Sequence, residues 1–151
     1  MSNDTTGDAP EAAGPTASPF NVPVIEEFRA NGGRVGGMFD GAPLLLLTHT
    51  GAKSGRLRVN PLRYMSDGDR VVVFATNAGA ADDPLWYRNV LANPKVTVEV
   101  GADAFPATAI PARGAERDRL WARIEAEDPA FAEYRRSTER TIPVVLLERA
   151  G

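Results

Sequence analysis

The run from Ala42 to Thr50, Ala-Pro-Leu-Leu-Leu-Leu-Thr-His-Thr, is the strongest constraint on the fold. It has the length of one strand, with Pro43 near its start and Gly51 just after it. Four consecutive leucines leave no polar face for water, so the strand must be covered on both sides. The segments around it read as its sheet. Arg56–Met65 and Arg70–Thr76 are joined by the turn-forming Ser-Asp-Gly-Asp and predict a hairpin. Pro61 within the first arm predicts a bulge or a sheet edge, because proline has no N–H for the ladder. Val96, Val98 and Val100 alternate with Thr97 and Glu99, the pattern of a half-buried strand. Gly101-Ala102-Asp103 turns that strand back into Phe105–Ile110, and Thr141–Glu148 supplies the last strand.

Helical segments fall between these strands. Residues 23–30 predict a short helix with Pro23 in its first turn, ended by the glycines of NGGRVGG. Asp83-Pro84 predicts a capped start for the helix LWYRNVLA, which stops before Asn93-Pro94. Ala115–Ala126 carries Leu120, Trp121 and Ile124 on one face. Pro129 breaks it, and Phe131 and Tyr134 mark another short helix. Hairpins dominate, so the sheet is expected to be mainly antiparallel. Six strands of this length can curl into a small barrel, which removes exposed edges. The expected class is α+β, a barrel with flanking helices in a single domain over residues 20–151. Residues 1–19 are rich in Ala, Gly, Pro, Ser and Thr and are expected to form a disordered tail.

Composition excludes several kinds of chemistry. The 151 residues hold no cysteine and only one histidine, His49, which removes thiol chemistry and histidine-rich metal sites. A net charge of −3 gives no reason to expect nucleic acid as a partner. No stretch approaches the roughly 20 apolar residues of a transmembrane helix. The N-terminal residues lack the basic and apolar regions of a secretory signal, so a cytoplasmic location is expected.

One charge asymmetry stands out. Between Asp40 and Asp67 there is no acidic residue, while Lys53, Arg56, Arg58 and Arg63 lie inside the interval. Three of these cations sit in Gly-Ala-Lys-Ser-Gly-Arg-Leu-Arg, where glycine-rich backbone and fixed cations suit a phosphate or carboxylate. The sequence does not fit a nucleotide-hydrolysing loop, because Ala52 precedes Lys53 and Leu47 stands where the first glycine belongs. No nucleophile elbow is present, and His49 has no nucleophile at a motif spacing. A single histidine in an apolar strand reads as a core residue. With no acid–base motif in view, the chemistry is expected to belong to a bound cofactor.

Four segments, THTGAKSGRLRVNPL (48–62), VVFATNAGA (72–80), DPLWYRNVLANPKVTVEV (83–100) and ERTIPVVLLE (139–148), resemble the F420-dependent nitroreductase family of deazaflavin-dependent oxidoreductases. The resemblance runs roughly from Gly32 to Glu148. It implies a split β-barrel and the coenzyme F420, a deazaflavin ring joined through ribitol and phosphate to lactate and several glutamates. By resemblance, Ala52, Lys53, Ser54 and Arg58 are expected at the phosphate. Val59, Asn60, Pro61, Leu62 and Arg63 would run along the ring, facing Phe74, Ala75, Thr76 and Asn77. Leu85, Trp86, Tyr87, Arg88 and Asn89 would close over the coenzyme, with Phe131 nearby.

The resemblance further implies hydride transfer from the reduced deazaflavin to a quinone, enone or nitroaromatic acceptor. Tyr134 or Thr76 would donate a proton or hydrogen bond, and Arg63 would stabilise a developing oxyanion. An F420-reducing dehydrogenase would supply reduced coenzyme indirectly. Family members suited to nitroimidazoles tend to place several tyrosines before the T-I-P segment. Here only Tyr134 remains, with Asp128 and Phe131 at the neighbouring positions, and Arg63 stands where an aromatic side chain is common. Quinones and activated enones are therefore the expected acceptors. An FMN-dependent reductase or oxidase on the same barrel, and a non-catalytic F420 carrier, are the alternatives.

Overall fold

The computed structural model describes residues 15–39 and 41–150, so the expectation for residues 1–14 lies outside the described part. The elements run α1 Val22–Ala30, β1 Leu44–Thr50, β2 Leu57–Asp67, β3 Arg70–Phe74, α2 Leu85–Ala92, β4 Lys95–Val100, β5 Asp103–Pro111, α3 Gly114–Glu127, α4 Ala130–Arg136 and β6 Val144–Arg149. Short 3₁₀ turns lie at Gly37–Phe39 and Asn77–Gly79. The six strands close a barrel in the order β1-β2-β3-β6-β5-β4, and every pairing is antiparallel. The α+β barrel read from the sequence is the fold of the molecule. No helix among the described residues is long and apolar enough to cross a membrane.

β1 is covered on both faces, as its leucines require. Leu45 and Leu47 join Val73, Val98, Val145 and Leu147 inside the barrel, with Trp86 and Val90 of α2 packed among them. Leu44 and Leu46 face outward and are covered by Ile25 and Phe28 of α1. A third apolar cluster lies under α3 and α4, where Leu120, Trp121, Ile124 and Phe131 cover Val72, Phe74, Val144 and Leu146.

Three details depart from the sequence reading. β2 passes through Pro61 without a bulge, because its register with β1 is unbroken from Leu44↔Arg63 to Thr50↔Leu57. The edge expected at Pro61 is real, however. β3 pairs with β2 only from Tyr64 onward, so no β3 strand lies beside Pro61 to miss its N–H. Asp83 does not cap α2. Pro84 is the N-cap residue, without a side-chain cap bond, and the Asp83 carboxylate accepts a 2.8 Å hydrogen bond from Arg140. The guanidinium offers a stronger, charge-assisted partner than a helix N–H. Within the expected tail, Thr16 exchanges backbone hydrogen bonds with Leu57 and Val59, so that residue joins the open side of β2.

The chain leaves β3 through a tight segment. Asn77, Ala78 and Gly79 have φ of 48°, 55° and 81°, three left-handed residues in succession. Arg140 clasps the segment by donating to the carbonyls of Thr76 (2.8 Å) and Ala80 (2.9 Å) as well as to Asp83. On the far side of the barrel, Asp67 ends β2 and accepts from Arg70, Arg119 and Arg123, which ties the β2–β3 hairpin to α3. The hydrogen bonds from Arg119 and Arg70 hold its carboxyl at about 2, well below the ordinary 3.8.

Two outcomes follow. The folded state keeps Asp67 ionised more readily than the unfolded chain does, so its contribution is complete above about pH 4. That contribution is lost as pH falls toward 2. Asp67→Asn should therefore lower Tm at neutral pH, and the gap to wild type should close between pH 4 and 2 in circular dichroism melts. At Gly79 an added Cβ would lie 2.9 Å from the Ser137 Cβ on a left-handed backbone. Gly79→Ala should cost more than about 1 kcal/mol, read as a Tm lower by a few degrees.

Candidate functional site

The widening between β2 and β3 is where the candidate site forms. Below Tyr64 the two strands no longer pair, and the chain turns away after β3, at Thr76. A cleft of about 330 Å³ occupies the gap. One wall is Asn60, Pro61, Leu62 and Arg63 of β2. The other is Phe74, Thr76, Asn77 and Ala78. Pro84 and Trp86 at the start of α2, Phe131 of α4 and Asn21 before α1 complete it. A mixed apolar and amide lining of this kind suits a flat, partly polar ring system.

Arg63 is fixed within the wall. Its Nε donates to Asp128 at 3.1 Å and its Nη1 to the Tyr64 carbonyl at 3.0 Å. Its guanidinium lies 5.8 Å from the centre of the Phe131 ring. The Nη2 group has no acceptor among the described residues, so Arg63 keeps donors free. Phe131 is packed edge-on between Phe74 and Tyr134, with ring centres 5.3 and 5.5 Å away. Tyr134 itself does not line the cleft. Trp86 and Tyr87 meet edge to face at 6.2 Å. Burial, aided by the charge of Asp83, pushes the Tyr87 phenol above its ordinary value, so it is a protonated donor at neutral pH.

The cationic turn lies at the end of β1. The Gly51 amide donates to the Arg56 carbonyl at 2.8 Å and the Gly55 amide to Gly51 at 3.0 Å, which closes a compact loop. A Cβ at Gly51 would fall 2.6 Å from the Ser54 hydroxyl and 3.4 Å from the Arg56 carbonyl, so a larger residue there would have to displace the Ser54 side chain. The Ala52 amide donates to Asn89 Oδ1 at 2.9 Å, which fastens the turn to α2. The amides of Lys53 and Ser54 have no acceptor among the described residues. Most arginines of the chain are in ion pairs, including Arg29, Arg63, Arg70 and Arg140. Lys53, Arg56, Arg58 and Arg88 have no carboxylate partner among the described residues, nor do Arg34, Lys95 and Arg113 elsewhere. Lys53 on the turn, Arg56 just after it and Arg58 at the start of β2, with the two free amides, make a cluster of donors suited to an anion.

Buried polar contacts join the turn to the cleft. His49, 1% exposed, continues the inward row of Leu45 and Leu47. Its Nε2 lies 2.8 Å from Asn60 Oδ1 and its Nδ1 lies 3.1 Å from Asn89 Nδ2. Burial lowers its pKa below the ordinary 6.5, and nearby Arg58 acts in the same direction. The imidazole is therefore neutral at physiological pH.

The sequence-expected residues thus fall into four groups. Asn60, Pro61, Leu62, Arg63, Phe74, Thr76, Asn77, Trp86 and Phe131 meet at the cleft. Ala52, Lys53, Ser54 and Arg58 lie on or beside the turn, and buried Asn89 anchors it to α2. Val59 and Ala75 are buried in apolar clusters and offer only backbone atoms. Leu85 and Arg88 are exposed on α2, with Tyr87 half-buried between them. Asn21, Ala78 and Pro84 were missed. Asn21 had a usable signal: it is the residue before α1, and its side chain makes no cap bond there. His49, read as a core residue, is buried as expected and also links Asn60 to Asn89.

Comparison with known proteins places this geometry. The family model described as F420H(2)-dependent quinone reductase matches residues 23–149. The chain is 41% identical over 127 residues to an F420H(2)-dependent quinone reductase of Mycobacterium tuberculosis, covering 81% of this chain and 85% of that protein. A solved structure of an F420-H2 dependent reductase is 39% identical, with a TM-score of 0.65, covering 70% of this chain and 94% of the other. The heme storage protein HutZ of Vibrio cholerae, 16% identical, covers 86% of this chain and 90% of its own with a TM-score of 0.57, and so shares the fold alone. The chain belongs to the F420H(2)-dependent quinone reductase family, and is an oxidoreductase that uses coenzyme F420.

Proposed function

We propose that the cleft seats the deazaflavin ring of F420 and that the Gly51–Gly55 turn, with Lys53 and Arg58, holds its phosphate. The observation that carries this reading is the unpaired cationic turn tied through Asn89, His49 and Asn60 to the amide-lined cleft. The acidic tail of the coenzyme would meet Arg56 and Arg88, which have no carboxylate partner among the described residues. The N-terminal turn of α2, with Trp86 and Tyr87, would shelter the ring from water.

When bound, the reduced coenzyme supplies a hydride. A quinone that accepts this hydride and one proton becomes the hydroquinone, a two-electron reduction. Arg63 is suited to polarise the acceptor oxygen, because Asp128 and the Tyr64 carbonyl fix it while its Nη2 donors stay free. Thr76 lines the cleft and is the hydroxyl residue there that could donate a hydrogen bond or proton. Tyr134, whose ring packs edge-on against Phe131 outside the cleft lining, would donate only to an acceptor that extends past Phe131. Enones fit the same requirement for a polarised oxygen, and nitroaromatics are incidental acceptors. We place the reaction in the cytoplasm, with a separate F420-reducing dehydrogenase renewing the coenzyme.

The test is anaerobic mixing of the protein with reduced F420 and a quinone, followed by the return of oxidised deazaflavin absorbance. Turnover with quinone supports the reading. Tight coenzyme binding without turnover on quinones, enones or nitroaromatics would identify a carrier. Tighter binding of FMN than of F420 would identify a flavin protein.

Lys53→Ala and Arg58→Ala should each weaken F420 binding roughly 10- to 150-fold at low salt, the range for a charge-assisted contact. Exposed Lys53 belongs at the lower end, because water and salt screen it. Turnover at saturating coenzyme should change far less, since neither residue lines the cleft. Fluorescence titration and steady-state kinetics on both variants check this.

A further inference from the structure

We propose that His49 is a positioning residue: its single tautomer orients Asn60 in the cleft and Asn89 beneath the cationic turn, and so sets both ends of the coenzyme site in one register. The inference rests on the coenzyme reading above.

The atom assignments follow from one fixed donor. The Ala52 amide can only donate, so the Asn89 atom that faces it is Oδ1. The Asn89 Nδ2 group is thereby turned to His49 Nδ1 and donates to it. Nδ1 must carry a lone pair, and the imidazole proton must reside on Nε2. Nε2–H then donates to Asn60 Oδ1. Asn60 in turn presents its Nδ2 donors on a residue of the cleft wall, with no acceptor among the described residues. The order Ala52 amide, Asn89, His49, Asn60 is thus a one-way chain of donors. Reversing any member would set two donors or two acceptors face to face.

Burial gives the chain its force. His49 and Asn89 are the buried polar residues of the described part, at 1% and 2% exposure. Water cannot replace a lost partner there, so a reversed amide would remain unsatisfied. A histidine serving only as apolar filling would need neither asparagine. Here both ring nitrogens are engaged, one with each half of the site. The three residues come from β1, β2 and α2, so the contact also fixes the spacing of those elements.

Because the chain has one histidine, the tautomer can be read directly. The experiment combines nitrogen-15 NMR of the imidazole in coenzyme-free protein with F420 titration and kinetics of wild type, His49→Phe and His49→Gln. Wild type should show a protonated Nε2 and an unprotonated Nδ1. His49→Phe keeps an apolar ring and loses both hydrogen bonds. It should weaken F420 binding by about tenfold or more, with a smaller change in turnover at saturation. His49→Gln can return a donor to Asn60 and should recover part of that loss. An Nδ1–H tautomer in wild type would overturn the proposal. So would His49→Phe that binds F420 as wild type does, or a loss that Gln does not relieve at all. If His49→Phe fails to fold, the wild-type tautomer and His49→Gln decide: a protonated Nε2 with F420 affinity in Gln that is lowered by less than about tenfold supports the proposal, and any other result, unchanged affinity included, overturns it. Wild type that binds no F420 would overturn the coenzyme reading and the proposal together, whereas normal binding with an indifferent His49→Phe overturns the proposal alone.

Discussion

The structure depends on β1 being paired at both edges and covered on both faces. Its ladders to β2 and β4 close the barrel. Its alternating leucines divide the core into an inner layer and a layer beneath α1. Leu45, Leu46 and Leu47 are wholly removed from water, and each contributes about 2 kcal/mol by burial. A strand held this firmly is a rigid base for whatever follows it. His49 lies near its end and the Gly51 turn follows it directly, so the cationic turn is built on a strand paired at both edges. This is the arrangement expected where a site must hold a ligand in one orientation.

The cleft has a different origin. It lies where a sheet stops being continuous: Pro61 has no partner on the β3 side, the chain leaves the sheet after Phe74, and the two walls separate. The departing segment is held in left-handed conformations by Arg140 and by close contact with Ser137. Such local strain persists only where the surroundings enforce it. Charge follows the same division of labour. Arginines of the structural networks, such as those on Asp67, are matched to carboxylates. The cations at the turn have no such partners among the described residues, in a chain whose net charge is −3. Arg63 stands between these cases, neutralised by Asp128 yet open at one nitrogen.

Much of this was legible in the sequence because it is local. Leucine runs, Gly-Asp turns and helix-face apolar residues each announce their element within a few positions. The cationic interval and the paired family motifs pointed to the turn and to most of the cleft. What escaped was set by distant residues. Asp83 looks like a helix cap until Arg140, 57 positions away, claims its carboxylate. Pro61 reads equally as a bulge or an edge, and only the absence of β3 beside it decides for the edge. His49 looks like core filling, and only the meeting of β1, β2 and α2 reveals that Asn60 and Asn89 use both its nitrogens. The pairing of β3 with β6 has no local signature either, yet it closes the barrel.

The account makes the anionic half of the coenzyme responsible for its grip and the ring responsible for its placement. Titration of F420 against its ring-and-ribitol fragment, which lacks phosphate and glutamates, separates the two. At low salt the fragment should bind more than about tenfold more weakly than F420, and the difference should narrow as salt screens the turn. Equal affinities at low salt would contradict the account, because the unpaired cations of the Gly51–Gly55 turn would then have no part in holding the coenzyme.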